Sequence, residues 1–173
     1  MVTHSELLKL VHYDPKTGIF LLKENTTKRL AGSIMNCNWF AKNRPHAPRN
    51  IRRTTVNIRR TCYPAGRLAW FYMTGEWPVG EVIHMDHDGW NLRWDNLRDA
   101  TYSQKKARSR PKRLSKCGRK GVTFDGRRGS RPWRADIKCG NTFIRIGSFA
   151  SADEANAAYA KYAAVLHGEF ANP

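Results

Sequence analysis

His84 and Asn96 stand twelve residues apart in the stretch VIHMDHDGWNLRWDNLR (residues 82–98), with an Asp/His/Gly turn between them. A minimal site for phosphodiester hydrolysis needs a general base to activate water, a cation to stabilise the leaving oxygen, and a partner that orients the base. A β-hairpin followed by a helix supplies all three, with the histidine on the first strand and metal ligands on strand and helix. His84, the DHDG turn, Asn96 and the residues after them have that layout. On spacing alone, a structural histidine satisfied by its neighbours fits equally well. The residue just before His84, where an acid would help to hold a cation, is Ile83.

What surrounds this stretch is strongly basic. Thirty-one Lys and Arg against fourteen Asp and Glu give a formal net charge of +17, which disfavours a free-floating metabolic enzyme. From Asn25 to Gly75 there is no acidic residue, while Lys28, Arg29, Lys42, Arg44, Arg49, Arg52, Arg53, Arg59, Arg60 and Arg67 accumulate. Lys105 to Lys120 holds nine basic residues in sixteen and again no acid. Fields of one sign on this scale attract a polyanion, and nucleic acid is the partner expected. No apolar run approaches the roughly 20 residues that cross a bilayer, and the N-terminus MVTHSELLKLVHYD lacks the apolar core of a signal peptide. Cys37, Cys62, Cys117 and Cys139 are isolated in the sequence, which gives neither a zinc-ribbon spacing nor a dense disulfide framework.

The elements that must position the chemistry follow from turn residues and periodicity. A short helix is expected over Glu6 to Val11, then a turn at Asp14-Pro15 with Gly18, then a strand from Ile19 to Leu22. TTVNIRRTCY reads as a strand with a basic side. AGRLAWFYMTGEWP has helical spacing of Leu68, Phe71 and Tyr72 and stops at Gly75 and Pro78. DATYSQKKARS reads as a polar helix, and RSRPKRLSKCGRK is too charged and too interrupted to pack. GVTF, WRADIK and TFIRIGSF are then three short strands, broken at Gly126/Gly129 and Gly140-Asn141. Ser151 with Glu154 makes a capping box for a helix that ends at Gly168, with Ala155, Ala158, Tyr159, Tyr162, Val165 and Leu166 as its apolar stripe. One helix laid on three strands leaves the opposite sheet face open.

Residues 64–104 resemble the HNH nucleases of phage homing endonucleases, through the pieces RLAW, TGEWP, RWDNLR and ATYSQ. The resemblance implies that His84 is the general base and that Asn96 orients its ring, with Mg2+ or another divalent cation as cofactor where the site is active. Three positions depart from the family pattern. Its Asp before the base is Ile83, its Asn after Ser-Gln is Lys105, and its His before RLAW is Gly66. A hard cation needs oxygen ligands, and an ammonium repels it. The pair Asp86-His87 offers an alternative register for base and ligand.

Residues 119–173 resemble the AP2 domain of plant ethylene-response factors and its phage-nuclease relatives, through KGVTFD, WRADIK, the GSF stretch and GEFAN. Such domains lay a three-stranded sheet in the major groove. The resemblance implies that Arg134, Lys138 and Arg145 face DNA and that Arg127, Arg128 and Arg131 contact phosphates from the first loop. Lys112 and Arg113 of the linker are expected on the backbone. Arg suits guanine O6/N7 through its fork, and Lys suits phosphate as a point charge. Trp133 is expected to pack in the core rather than on DNA.

The fold class expected is α+β: an HNH-like ββα-metal module followed by a three-stranded antiparallel sheet backed by one helix. The boundaries are 1–63 for a basic α/β segment packed on the HNH module, 64–104 for that module, 105–118 for a basic linker and 119–173 for the AP2-like domain. The expected partner is double-stranded DNA, bound by a monomer without membrane contact, in the cytoplasm of a phage-infected bacterium. The function expected is DNA binding with metal-dependent cleavage if the altered site is active. The alternative is a cleavage-defective nuclease acting as a repressor or site-blocking protein.

Overall fold

The Thr3 hydroxyl accepts the Glu6 N–H at 3.3 Å while the Glu6 carboxylate accepts the Thr3 N–H at 3.1 Å. This capping box opens helix α1 (His4–Leu10). The computed structural model describes residues 1–26, 28–37, 54–109 and 117–172, and the chain divides into two units, Met1–Ala100 and Thr101–Pro173.

In the first unit α1 runs straight into β1 (Val11–Asp14), which pairs antiparallel with β2 (Ile19–Leu22). The sequence reading extends the helix to Val11 and has no β1. Val11 and Tyr13 in fact alternate with an exposed His12, a period of two that the core enforces. The turn between the strands is held by Asp14, which accepts the Thr17 hydroxyl at 2.6 Å and the Lys16 N–H at 3.0 Å. Next come β3 (Asn36–Cys37), β4 (Thr55–Ile58) and β5 (Thr61–Pro64) in one antiparallel sheet of order β3-β4-β5. TTVNIRRTCY is therefore a hairpin rather than one strand. It turns at Arg59 and Arg60, whose φ angles are 45° and 68°. Two consecutive residues of positive φ suit the right-handed twist of a hairpin, but the usual marker is Asn-Gly, and arginines hide it.

Helix α2 (Ala65–Thr74) ends on Gly75 at φ 79°, as its stop signal predicts. Leu68, Ala69 and Phe71 are buried, and β6 (Glu81–His84) and β7 (Leu97–Ala100) form the last hairpin of the unit. Leu7, Val11, Tyr13, Phe20, Val56, Leu68, Leu92 and Leu97 share one apolar core.

The second unit begins with α3 (Tyr102–Arg108), capped by a reciprocal Thr101/Gln104 box. The sequence reading has DATYSQKKARS as a polar helix, and residues 102–108 are helical, although its domain boundaries begin the linker at Lys105. Two features explain the helix. The box fixes the first turn, and the Lys120 ammonium donates to the carbonyls of Ala107 and Ser109 at the helix end. Burial, with the nearby Arg108 charge, pushes the Lys120 amine down to about 8. The sheet has order β10-β9-β8, with β8 (Val122–Phe124), β9 (Trp133–Cys139) and β10 (Thr142–Phe149) all antiparallel. Helix α4 (Ala152–His167) packs on it through Ala155, Tyr159 and Ala163, against Val122, Ala135 and Ile137. Gly121, at φ 69°, brings the chain so close to the Tyr159 ring that a side chain would collide with it. Tyr162 and Val165, expected in the stripe, are exposed, because the i, i+4 ladder of Ala155, Tyr159 and Ala163 is the face the sheet covers. Trp133 packs against this core and meets Phe124 edge-on, as expected.

Candidate nuclease site and nucleic-acid interface

His84 closes β6 opposite Leu97, and Asn96 lies just before β7 in a single 3-10 turn (Trp94–Asn96). The strand that carries His84 is pinned at its start. Asp99 accepts the N–H groups of Val79 and Gly80 at 3.0 and 2.9 Å, and Arg67 of α2 donates to the carbonyls of Gly80 and Pro78 at 2.9 and 3.3 Å. The loop at the other end rests on the β1–β2 turn. The Tyr13 hydroxyl donates to Leu92 O at 2.5 Å, and the Trp94 N–H donates to Pro15 O at 2.9 Å. Gly18 sits so near the Leu92 and Arg93 backbone that any side chain there would collide. The N-terminal hairpin thus serves as a support for the candidate site.

Within the loop the side chain of Asn96 is buried and fully engaged. Its Oδ1 accepts the Asp86 N–H at 2.9 Å, and its Nδ2 donates to Asp86 Oδ1 at 3.0 Å and to Asn91 O at 2.8 Å. Asp86 also accepts the Asp88 N–H at 2.8 Å and the Asn91 side-chain amide at 2.7 Å. Burial on its own would raise the Asp86 carboxyl. The donors from Asp88, Asn91 and Asn96, with a smaller electrostatic contribution from His84, outweigh it and hold the group below its ordinary range. The two amide hydrogens of Asn96 therefore serve the loop beneath His84. Its link toward the base runs through the backbone, where Asn96 O accepts the Met85 N–H at 2.9 Å. His87 lies in the loop at φ 62°, with its N–H donating to His84 O at 3.1 Å.

The Nε2 atom of His84 is buried, and a methyl group at Gly66 of α2 would stand 3.8 Å from it. Two of the three departures can be placed around the base. Gly66 leaves its first-turn position against the ring as bare backbone, and Ile83 pairs across the hairpin with Arg98. Lys105 is on α3, in the second unit. For a divalent cation the donor chemistry does not fit. By sequence position a hydrocarbon and an ammonium replace the two expected ligands, and beside His84 both oxygens of Asp86 already accept donors. Among the described residues no three His, Cys, Asp or Glu side chains gather to hold a metal.

On the second unit, the face opposite α4 carries Arg134, Asp136 and Lys138 of β9, since strand residues alternate between faces and Ala135 and Ile137 point at the helix. Their neighbours across the sheet are Ser148, Arg145 and Phe143 on β10, with Thr123 of β8 beside Arg134. Ile144 and Ile146 both face the core by the strand's period of two, and the bulge between Arg145 and Gly147 shifts that phase so that Phe149 packs there as well. Lys138 and Arg145 are exposed, as are Arg127 and Arg131 in the first loop. The edge of this face runs into a cleft of about 390 Å³ lined by Lys106, Lys120, Arg134 and Lys138, with Asp136 its only acid among the described residues. Lys112 and Arg113 lie outside the described residues, as does the Arg128 side chain.

Residues 63–107 match the family model described as HNH endonuclease. The HNH match takes in His84, Asn96, Asp86 and His87, and also Gly66, Ile83 and Lys105. It points to DNA as the partner and to nuclease chemistry for this segment. Comparison with curated proteins and with solved structures gave no match. Among the described residues no helix is long and apolar enough to cross a membrane. The sequence reading missed Arg67, Asn91, Asp99 and Asp136. Arg67, Asn91 and Asp99 lie inside the HNH-like text, so position within it was the available signal. Asp136 is recognised only through its partners.

Proposed function

We propose that this chain is a double-stranded-DNA-binding protein of the HNH–AP2 homing-endonuclease type whose hydrolytic site is slow or silent. The observation that carries the reading is the open sheet face. Arg134, Lys138 and Arg145 stand there on adjacent strands, with helix α4 covering only the other side. A sheet of that width enters a major groove, and Arg and Lys on it reach base edges and phosphates. The loop arginines Arg127 and Arg131 extend the basic surface, and the HNH segment adds an imidazole at the end of a supported strand. With Ile83 and Lys105 at the ligand positions, this surface suits holding DNA better than cutting it, so a repressor or site-blocking role is the form of function favoured. A working nuclease of alternative register is the second reading. It is favoured by the ionised Asp86 next to His87.

Salt dependence tests the proposal. Contacts to on the order of six phosphates make log affinity fall with log salt at a slope of about 5, since each phosphate contributes roughly 0.9. Affinity for duplex DNA that barely changes between low and moderate salt would contradict it.

A further inference from the structure

Asp136 is an anomaly on a face proposed to meet a polyanion. It is 8% exposed, and it is the acid at the centre of the basic residues of the sheet. A carboxylate here repels phosphate and loses hydration on burial, so its retention needs a partner. The partner is arginine. Asp136 Oδ2 accepts from Arg134 Nε at 2.6 Å, and Asp136 Oδ1 lies 3.7 Å from Arg145 Nε. The second distance is an ion pair without a hydrogen bond, and Oδ1 has no hydrogen-bond partner among the described residues. The backbone of Asp136 is itself fixed, because its N–H donates to Gly121 O at 2.9 Å and the residue pairs with Arg145 in the sheet register.

The atoms used matter. A guanidinium has five N–H groups, one on Nε and four on the two Nη atoms. A carboxylate on Nε holds the plane of the group and leaves the Nη pair, the fork that reads guanine O6 and N7, without competition from the same acid. Arg134, with 27% of its side chain exposed, is already held. Arg145, at 58%, is free to close the remaining gap to Oδ1. We infer that Asp136 is a positioning residue that presets the guanidinium of Arg134, and on binding that of Arg145, so that the two arginines read base edges in the major groove. This rests on the DNA-binding reading above, and it adds that sequence discrimination depends on an acid that contacts no DNA.

The test uses the full-length chain and a duplex site enriched by it from a random-sequence library, with a scrambled duplex as reference. Asp136→Asn removes one negative charge and keeps the shape. The expected result is a five- to hundred-fold loss of the ratio between the two affinities, with scrambled-duplex affinity unchanged or higher. Arg134→Lys keeps the charge but removes both the Nε contact to Asp136 and the Nη fork. It should lower the ratio similarly, and the double variant should be little worse than either, because both act through one contact. Equal tightening on both duplexes would mean that Asp136 only repels DNA and would overturn the inference. Parallel weakening on both, with a lowered unfolding midpoint, would assign it a merely structural role and overturn it too. If the natural chain binds duplex DNA without preference, the inference falls while the DNA-binding reading stands. If it does not bind duplex DNA, both fall.

Discussion

Asp86 in the β6–β7 loop and Asp136 on β9 each sit at the centre of a polar cluster, but their partners differ in kind. Asp86 is surrounded by neutral donors: the Asp88 N–H and the side-chain amides of Asn91 and Asn96. Asp136 faces the guanidinium groups of Arg134 and Arg145. Neutral amides saturate the first carboxylate and lock a loop, leaving little lone-pair capacity for a cation. The arginines around the second keep most of their N–H groups for another acceptor. In the region that resembles a catalytic centre the polar groups are turned inward, whereas on the sheet face the arginines stay partly open to solvent, where the proposed reading has them meet DNA. The difference favours holding DNA over cutting it.

The largest expected effect that tests this contrast is on stability. Asn96→Ala removes the acceptor for the Asp86 N–H and the donor to Asn91 O in a buried setting, and should cost the first unit about 2–3 kcal/mol in denaturant unfolding. A loss below about 0.5 kcal/mol would show that the loop is not the locked structure described. On the second unit the counterpart is Arg145→Ala. It should leave unfolding nearly unchanged while costing roughly 1–3 kcal/mol of binding at one position of the site. An equal loss on every sequence would reduce Arg145 to a phosphate contact.

Smaller effects sharpen the same picture. Arg60→Gly should stabilise the first unit by about 0.5–1 kcal/mol, because a φ of 68° suits glycine and not arginine. No gain in the unfolding midpoint would mean that the turn relaxes otherwise. The pH effect is the smallest, since Asp86 is largely open to solvent screening. Its folded carboxyl is depressed, so its stabilising contribution is complete above the unfolded value of about 3.9 and is lost as pH falls below that toward the folded value. Hydrogen-exchange protection of the Asp88 N–H should hold from pH 7 to 5 and weaken below about pH 4. Asp86→Asn should remove that step.

Local signals in the sequence were legible where the chain obeys them. Gly75 ends α2, Ile19–Leu22 form a strand, and Ser151 accepts the Glu154 N–H at 3.2 Å at the start of α4. The Glu154 carboxylate reaches the Ala150 N–H rather than that of Ser151, so the expected capping box is half formed. The hairpin at Arg59–Arg60 was hidden because its turn residues lack the glycine that such angles favour. Strand β1 was hidden because Val11 continues the apolar run of α1. For the candidate site, the spacing of His84 and Asn96 and the basic residues of β9 and β10 were readable one residue at a time. The roles of Asp86, Asp99 and Asp136 were not, because each depends on a partner brought near by strand register or loop closure. Arg145 and Asp136 are nine positions apart in sequence and directly opposed in the sheet.

The most direct test of the central claim is nicking of a supercoiled plasmid that carries the enriched site, with Mg2+ or Mn2+, and with binding to the same DNA measured in parallel. A bound cation contributes several kcal/mol at the leaving oxygen, and each tenfold in rate is about 1.4 kcal/mol. The natural chain should therefore bind tightly and nick weakly or not at all. Ile83→Asp combined with Lys105→Asn should raise divalent-dependent nicking by about a hundredfold or more, and adding His84→Ala should abolish the gain. Robust nicking by the natural chain that survives His84→Ala and disappears with His87→Ala would contradict the account, and would make Asp86 and His87 the working site.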